Sequence, residues 1–193
     1  TSVNNGATTV AHTKGIARWS KANQVWEAVG DPEGTGAVIT NIWRMAFDAA
    51  GNLYVGGAFT NLADVADADY FAKYTVSTDT WSAVGSGIDG TIYAIEIDSD
   101  GTIYIGGSFS TAGGNENCNY IAKKALDDNN WLPLATGLNG IVYALKSRSN
   151  RDLLIGGMFT DADGANGDYI CWWDGSAFHS FTELGATELS TNG

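Results

Sequence analysis

An acidic segment, Asp161-Ala-Asp-Gly-Ala-Asn-Gly-Asp168, carries the residue types in this chain that are best suited to holding a metal ion. Asp161, Asp163 and Asp168 offer carboxylate oxygens at short intervals, and the glycines between them allow the tight turn of a Ca²⁺-binding loop. The segment lacks the terminal bidentate glutamate of an EF-hand loop. The pattern therefore makes these three aspartates a candidate calcium site, and a solvated acidic loop is the alternative that we favour.

Two tryptophans are candidates for binding a ligand or a partner. Trp172 and Trp173 are adjacent, so their side chains point to opposite faces of a strand. Trp173 takes a packed position in the repeat described below, which leaves Trp172 for contact with a neighbouring repeat or with a partner, because aromatic residues are enriched at interface anchors. Trp43 is predicted near the axis of the fold, where it would stack on a sugar. Core packing is the alternative that we favour for Trp43.

Residues suited to catalysis are few. His12 and His179 are the only histidines, and neither lies beside a serine or cysteine motif. His179 is predicted as an exposed strand residue, and no nucleophile elbow is present. Glu96 lies fifty residues before Lys146, which indicates an ion pair between repeats rather than one of the paired carboxylates of a glycosidase. We therefore predict no catalytic residues and no enzymatic activity.

A repeat of fifty residues must position all of these side chains. Three Gly-Gly pairs, each followed by one residue and a phenylalanine, recur at this interval. A fixed period of this length is the signature of one supersecondary unit copied in tandem. We interpret the repeated residues as structural, with the glycines where a neighbouring backbone approaches closely. They are Gly56, Gly57 and Phe59, then Gly106, Gly107 and Phe109, then Gly156, Gly157 and Phe159.

Each repeat is predicted to contain four short antiparallel strands. In the middle copy, residues 92–98 alternate apolar and polar side chains at the period of a strand, and a turn follows at 99–101. The other strands fall at 102–105, 120–123 and 131–134. No stretch shows sustained helical periodicity. The predicted fold class is therefore all-β, a β-propeller built of four-stranded antiparallel blades.

Alignment of the copies predicts a partial propeller of about three and a half blades. The strands predicted at 15–30 correspond to the third and fourth strands of a blade, and the alignment assigns no first and second strands to them. One strand edge is therefore unpaired, so we predict that another segment or chain completes the half blade. Residues 1–14 are a linker or pair locally. Since the chain begins at Thr1 rather than Met, we expect a processed product, an excised domain or part of a longer polypeptide. The predicted units of this single propeller, 1–193, are a half blade at 1–40 and blades at 41–90, 91–140 and 141–193.

The repeat resembles kelch-type propeller repeats. The likeness is carried by the double glycine after the second strand and by an aromatic pair on the third and fourth strands. With the motif Trp-Ser-Ala-Val-Gly-Ser-Gly at 81–87, the chain is similar to the propellers of fungal cortical polarity-marker proteins and of secreted bacterial or viral repeat proteins. This resemblance implies a cell-surface or assembly role with no shared catalytic motif. The pairs are Trp19 with Trp26, Tyr74 with Trp81, Lys124 with Trp131 as a departure, and Trp173 with Phe178 at shorter spacing.

Composition narrows the range of partners. The 193 residues include 22 Asp or Glu and 10 Lys or Arg, for a net charge of −12. Such a chain is repelled by phosphate backbones and anionic headgroups, so we expect no nucleic acid partner. No run of about 18 apolar residues is present, so we expect no membrane insertion. The two cysteines, Cys118 and Cys171, are predicted to be free, because equivalent strands of neighbouring blades lie beyond the ~7 Å Cα–Cα limit of a disulfide.

The leading hypothesis is a non-catalytic module for protein–protein interaction or assembly on a cell-surface, virion or other extracellular structure. Its partner would be another protein or further blades of a longer parent chain, and no cofactor is expected beyond the candidate calcium. One alternative is a glycan-binding, lectin-like propeller, which predicts the same aromatic and acidic pair in every copy, whereas the loops here diverge. The other alternative is a fragment of a larger propeller enzyme.

Overall fold

A computed structural model describes residues 3–5, 8–10, 16–29, 38–148, 152–162 and 169–181 of the chain. Short strands dominate, and the one helical element within these ranges is a 3-10 turn at Leu62–Asp64. The all-β prediction is confirmed. The strands are β1 Val3–Asn5, β2 Thr8–Val10, β3 Ala17–Ser20, β4 Val25–Ala28, β5 Val38–Phe47, β6 Leu53–Thr60, β7 Phe71–Thr75, β8 Thr80–Ala83, β9 Ile92–Ile97, β10 Ile103–Gly107, β11 Ile121–Lys124, β12 Val142–Ser147, β13 Leu153–Gly157, β14 Ile170–Trp173 and β15 Phe178–Ser180.

The sheets have the architecture of propeller blades. Two of them contain four strands in the orders β5-β6-β7-β8 and β12-β13-β14-β15, and every strand is antiparallel to its neighbour. The first strands of consecutive sheets, β5, β9 and β12, contact one another. The first strand of each blade therefore faces a common axis and the last strand lies at the rim. This arrangement confirms the predicted β-propeller fold class.

The middle blade differs from the prediction at its fourth strand. Its sheet has three strands in the order β11-β10-β9. The segment predicted as a strand at 131–134 is held by one bridge, in which the backbone amides of Lys123 and Leu132 each donate to the other's carbonyl, at 2.9 and 2.8 Å. In this register the amide of residue 133 would point away from β11, so Pro133 is compatible with the bridge. Trp131 is nevertheless buried in the core.

The N-terminal part of the described chain contains two hairpins. Strand β1 pairs with β2, so these residues pair locally. Strand β3 pairs with β4 in a register that sets Trp19 opposite Trp26, with ring centroids 5.5 Å apart. The indole N–H of Trp81, on β8 of the first complete blade, donates to the carbonyl of Val29 just after β4, at 3.0 Å. The β3–β4 hairpin therefore packs against the outer part of that blade.

The apolar core lies between the blades. One cluster joins Phe71 of the first blade to Ile92 of the second, and another joins Ile121 of the second blade to Val142 of the third. A third cluster joins Val29 to the first blade. No blade buries its hydrophobic faces alone, so neighbouring blades stabilise one another, as in other repeat architectures.

The Gly-Gly pairs lie on the second strand of each blade where the first strand crosses closely; they end β10 and β13, whereas β6 continues to Thr60. A Cβ atom on Gly57 would lie 2.1 Å from the carbonyl oxygen of Asn41, and Gly107 and Gly157 stand in the same relation to the inner strands of their own blades. Since real Cβ atoms do not approach a backbone oxygen this closely, the backbone path of the blade requires glycine at this position.

Candidate functional site

Each inner strand carries one aromatic residue that no residue of the neighbouring strand opposes. In the first blade, Ile42 pairs with Gly57 and Arg44 pairs with Gly56, which leaves Trp43 between them as a β-bulge. Tyr93 and Tyr143 occupy the same bulge position in the next two blades. A bulge re-aims its side chain away from the regular alternation of the strand. Trp43 and Tyr143 accordingly remain exposed, so the core packing favoured for Trp43 from the sequence is wrong.

These three residues form what we call the aromatic row. The ring centroids of Trp43 and Tyr93 are 5.9 Å apart, and those of Tyr93 and Tyr143 are 5.3 Å apart. Together with Arg44 they line a cleft of about 510 Å³. Of these three aromatic residues, only Trp43 was predicted from the sequence as a site residue. The fifty-residue register of Tyr93 and Tyr143 was the signal that would have added them.

Arg44 interrupts the repeat at the aromatic row. The corresponding residues of the next two inner strands are Ala94 and Ala144. The Nε atom of Arg44 donates to the carbonyl of Tyr93 at 3.1 Å, so its guanidinium bridges two blades beside the aromatic rings. The cleft thus combines aromatic faces with guanidinium hydrogen-bond donors, which suits a ligand that has both an apolar face and oxygen acceptors.

A second candidate surface lies on β5. Met45 and Phe47 are 60% and 66% exposed, whereas Ile95, the counterpart of Met45 in the second blade, is 8% exposed. Ile95 is covered because its Cδ1 atom packs 3.1 Å from the Cβ position of Gly56 in the preceding blade. Within the described residues, no inner strand precedes β5 to cover Met45 and Phe47 in this way. We call this surface the open face.

The opposite end of the described blades also lacks a neighbour. The Cβ positions of Gly56 and Gly106 meet Ile92 and Val142 of the following blade, at 2.5 and 2.4 Å. At Gly156 the nearest atom is the Cβ of Ala144, 3.7 Å away on an adjacent strand of the same blade. Within the described residues, Gly156 is therefore not contacted by a side chain of a following blade, unlike Gly56 and Gly106.

Trp172 lies on β14 and Trp43 lies on β5, which belong to different sheets. Trp172 is not among the described residues that line the cleft beside Trp43, so the structure does not bring these two predicted site residues together there. The Trp172 ring stacks on His179, with centroids 4.2 Å apart and planes 19° from parallel. The cross-strand register sets these residues opposite each other. His179 is half-buried rather than exposed as predicted, because its ring covers one face of the indole.

His179 also contacts Asp174, with 2.8 Å between Nε2 and Oδ2. The backbone amide of Ala177, the imidazole of His179 and the hydroxyl and amide of Ser176 all hydrogen-bond to the Asp174 carboxylate, and they hold the pKa of this carboxyl far below its usual range. This group closes the turn between β14 and β15.

The candidate calcium ligands are only partly described. Asp163 and Asp168 lie outside the described residues. Asp161 is exposed, and its backbone amide donates to the side-chain oxygen of Asn139 at 3.1 Å. The described ranges hold no group of three or more His, Cys, Asp or Glu side chains arranged for a metal ion. Calcium binding at Asp161, Asp163 and Asp168 stays a prediction.

Glu96 and Lys146 form an ion pair between the second and third blades, with 2.8 Å between Nζ and Oε1. The same Oε1 atom accepts the backbone amide of Ser147 at 3.0 Å. Cys118 and Cys171 are buried and free, and burial raises the pKa of their thiols to about 11 and about 12. None of the described helical segments has the length and apolar character of a membrane-spanning helix.

Comparison with known proteins agrees with this architecture. Residues 95–170 match the sequence model of a family described as the Rax2 C-terminal beta propeller domain. This match, which covers strands of the second and third blades, confirms the predicted resemblance to propeller repeats of fungal cortical polarity-marker proteins. No curated protein matches the chain significantly.

Two solved structures share the fold. The extracellular domain of BT4673 from B. thetaiotaomicron is 13% identical, with a TM-score of 0.51 over 75% of this chain and 18% of that chain. PorZ, a bacterial surface component of the type-IX secretion system of Porphyromonas gingivalis, is 15% identical, with a TM-score of 0.51 over 85% of this chain and 22% of that chain. The chain thus spans about a fifth of each of these structures, and the likeness shows a propeller fold.

Proposed function

We propose that this chain is a non-catalytic propeller module that assembles with a protein partner or with further blades. The observation that carries the proposal is the exposure of Met45 and Phe47, at the position where Ile95 is buried by a preceding blade. Exposed apolar surface of this kind marks an interaction site on a protein. The contacts between the described blades indicate the kind of surface that would cover it.

The net charge supports a protein as the partner, and the resemblance to known propellers supports an extracellular location. The net charge of −12 disfavours nucleic acid and anionic lipid and leaves protein surfaces as the favoured partners. We further propose an extracellular location, on a cell surface, on a virion or on a secreted structure. This proposal is supported by the resemblance to cortical polarity-marker propellers and by structural neighbours described as an extracellular domain and a bacterial surface component.

The assembly proposal is tested by light scattering over a range of protein concentrations. Wild-type chain is expected to associate as concentration rises, because water is released when the open face is covered. Phe47→Asp should shift the population toward monomer. Val76→Asp, at an exposed apolar residue in the turn between β7 and β8, is the matched control and should behave as wild type. A monomer at every concentration, unaffected by Phe47→Asp, would contradict the proposal.

A second candidate function is glycan binding at the aromatic row, and the observation that favours it is Arg44. Aromatic rings offer flat apolar faces, the guanidinium offers donors to hydroxyl oxygens, and the negative net charge favours a neutral sugar over an acidic one. Titration with cellotriose and chitotriose, followed by tryptophan fluorescence, tests it. Binding should be lost in Trp43→Ala and kept in Trp26→Ala. Absence of binding up to about 10 mM would exclude this function.

A further inference from the structure

We infer that the edge of β3 and the open face of β5 form one binding site for a β-hairpin of inner-strand type. Such a hairpin consists of two antiparallel strands, of which the second carries the Gly-Gly-x-Phe motif found at residues 56–59 of β6. The inference rests on the proposed assembly function and specifies its partner. We call this surface the hairpin site.

The first step is the position of the β3–β4 hairpin. Trp81 of the first blade donates its indole N–H to the carbonyl of Val29. One blade further on, Trp131 packs against Gly85, and a Cβ at Gly85 would lie 2.7 Å from Nε1 of Trp131. The β3–β4 hairpin and the β7–β8 hairpin align at an offset of fifty-five residues, so Val84 is the counterpart of Val29. Gly85 directly follows Val84, so Trp131 contacts the chain just after β8 of the first blade as Trp81 contacts the chain just after β4. The hairpin therefore lies where the outer half of a preceding blade would lie.

The second step is the edge of β3. Its pairing with β4 sets Trp19 opposite Trp26, as pairing with β8 sets Tyr74 of β7 opposite Trp81. Strand β7 also pairs on its inner side with β6, through Gly56 and Phe71 among others. Within the described residues, β3 pairs with β4 alone. An exposed strand edge is a template for the addition of another strand.

The register of an added strand follows from the complete blades. The first glycine of each Gly-Gly pair lies opposite the first residue of the third-strand motif, as Gly106 lies opposite Ile121. The corresponding residue before β3 is Ile16, and Ala17 corresponds to Ala122. An added strand would therefore set its first glycine opposite Ile16 and the preceding apolar residue opposite Ala17.

The third step is the open face. In the described interfaces, the first glycine of one blade receives a β-branched side chain from the next inner strand, Ile92 at Gly56 and Val142 at Gly106. The residue fifty positions before Ile92 is Ile42, and the residue fifty positions before Ile95 is Met45. A hairpin added to β3 would therefore rest its first glycine on Ile42 and Met45. One hairpin would thus pair with the edge of β3 and also cover the open face of β5.

Cross-strand side chains define the ligand further. The ammonium group of Lys73 on β7 lies 5.5 Å from the ring centroid of Tyr54 on β6. Arg18 occupies the position of Lys73 on β3, since Arg18 pairs with Glu27 as Lys73 pairs with Ser82. A tyrosine two residues before the first glycine of the added strand would place its ring beside Arg18, where a cation–π contact is favourable. The bound hairpin is therefore expected to carry an aromatic residue there.

The test uses a synthetic peptide of residues 91–110 of this chain, which has the sequence of a complete inner hairpin. Isothermal titration calorimetry measures its binding to the full chain. Hydrogen exchange locates the site, because every second backbone amide of β3 points away from β4 and should become protected. Protection at 17–20 together with measurable binding is the expected result.

The matched control is the same peptide with Gly106→Val. In the hairpin site this side chain would collide with Ile42, as a Cβ at Gly106 would approach Val142 within 2.4 Å in the chain itself. The protein is unchanged, so a loss of affinity of about tenfold or more reports on the fit of the glycine alone. Equal binding by both peptides would overturn the inference.

The remaining outcomes separate this inference from the assembly function. If the peptide fails to bind, or if it protects residues outside 17–20, the hairpin site is wrong. Should Phe47→Asp still reduce self-association in that case, the assembly function stands with a different partner. If the peptide binds as expected and also suppresses self-association, both conclusions are supported, because the same open face is then covered.

Discussion

The Cγ2 atom of Ile92 lies 2.5 Å from the position that a Cβ atom on Gly56 would occupy, although the two residues belong to different blades. The absence of a side chain on Gly56 is thus what allows the second blade to approach the first. Val142 and Gly106 repeat this relationship at the next interface, at 2.4 Å. Gly156 has the same place in its blade, and among the described residues it has no such neighbour, which makes it a control for the other two glycines.

Replacing these glycines by valine should therefore have unequal effects. Gly106→Val forces a branched side chain against Val142 and should lower the free energy of unfolding by about 1–3 kcal/mol. Gly107→Val should cost more, since its Cβ would lie 2.1 Å from a backbone oxygen that cannot move aside freely. Gly156→Val should be nearly neutral. Urea unfolding of the three variants measures this order, and equal losses would contradict the assignment of Gly106 to a blade interface.

In the ion pair between Glu96 and Lys146, the lysine should contribute little to the free energy of unfolding. Lys146 is 73% exposed, so Lys146→Met is expected to cost less than about 1 kcal/mol. Glu96→Ala should cost about 1–2 kcal/mol, because it leaves the half-buried amide of Ser147 without its acceptor. A double-mutant cycle on thermal unfolding separates the pair from the amide contact. A larger loss for Lys146→Met than for Glu96→Ala would refute this account.

Asp174 should contribute stability that depends on pH. Its folded-state pKa is lowered, so the contribution is present above the unfolded-state pKa of about 4 and is lost as pH falls toward the folded-state value. Asp174→Asn removes the titrating group. The melting temperature of wild type should exceed that of the variant at neutral pH, and the difference should shrink below about pH 4. If the difference in melting temperature grows as pH falls, folding does not lower the pKa of Asp174.

The thiols of Cys118 and Cys171 should be inert in the folded chain. Burial raises their pKa to about 11 and about 12, so the thiolate fraction and the access of a reagent are both low near neutral pH. An aromatic disulfide reagent should label neither thiol rapidly in native protein and both thiols in guanidinium chloride. Stoichiometric labelling within the mixing time under native conditions would contradict the buried positions.

Calcium is expected to leave the melting curve unchanged. A ligand that binds the folded state alone raises its stability by mass action, so a functional site at Asp161, Asp163 and Asp168 would give a higher melting temperature in calcium than in chelator. We expect overlapping curves, as for a solvated acidic loop. A shift that Asp163→Asn and Asp168→Asn abolish would instead establish the calcium site.

The repeat made much of the fold predictable from sequence. Strand alternation and the Gly-Gly-x-Phe motif are local patterns, so they were sufficient to predict the blades and their antiparallel strands. The reduction of the middle blade's fourth strand to one bridge is a matter of pairing between two strands, which the local pattern at 131–134 does not contain. The bulge at Trp43 likewise arises from pairing between two strands, and the local pattern does not contain that pairing. The cover of Trp172 by His179 depends on cross-strand register for the same reason.

The location of the core between the blades has a consequence for how such chains vary in length. Deleting residues 91–140 would bring Val142 onto Gly56 in place of Ile92, with one β-branched side chain replacing another. Tyr143 would then follow Trp43 in place of Tyr93. Every remaining contact would be of a kind already present, so gene rearrangements that insert or remove one whole repeat conserve the local packing. We expect relatives of this chain to differ in length by multiples of about fifty residues.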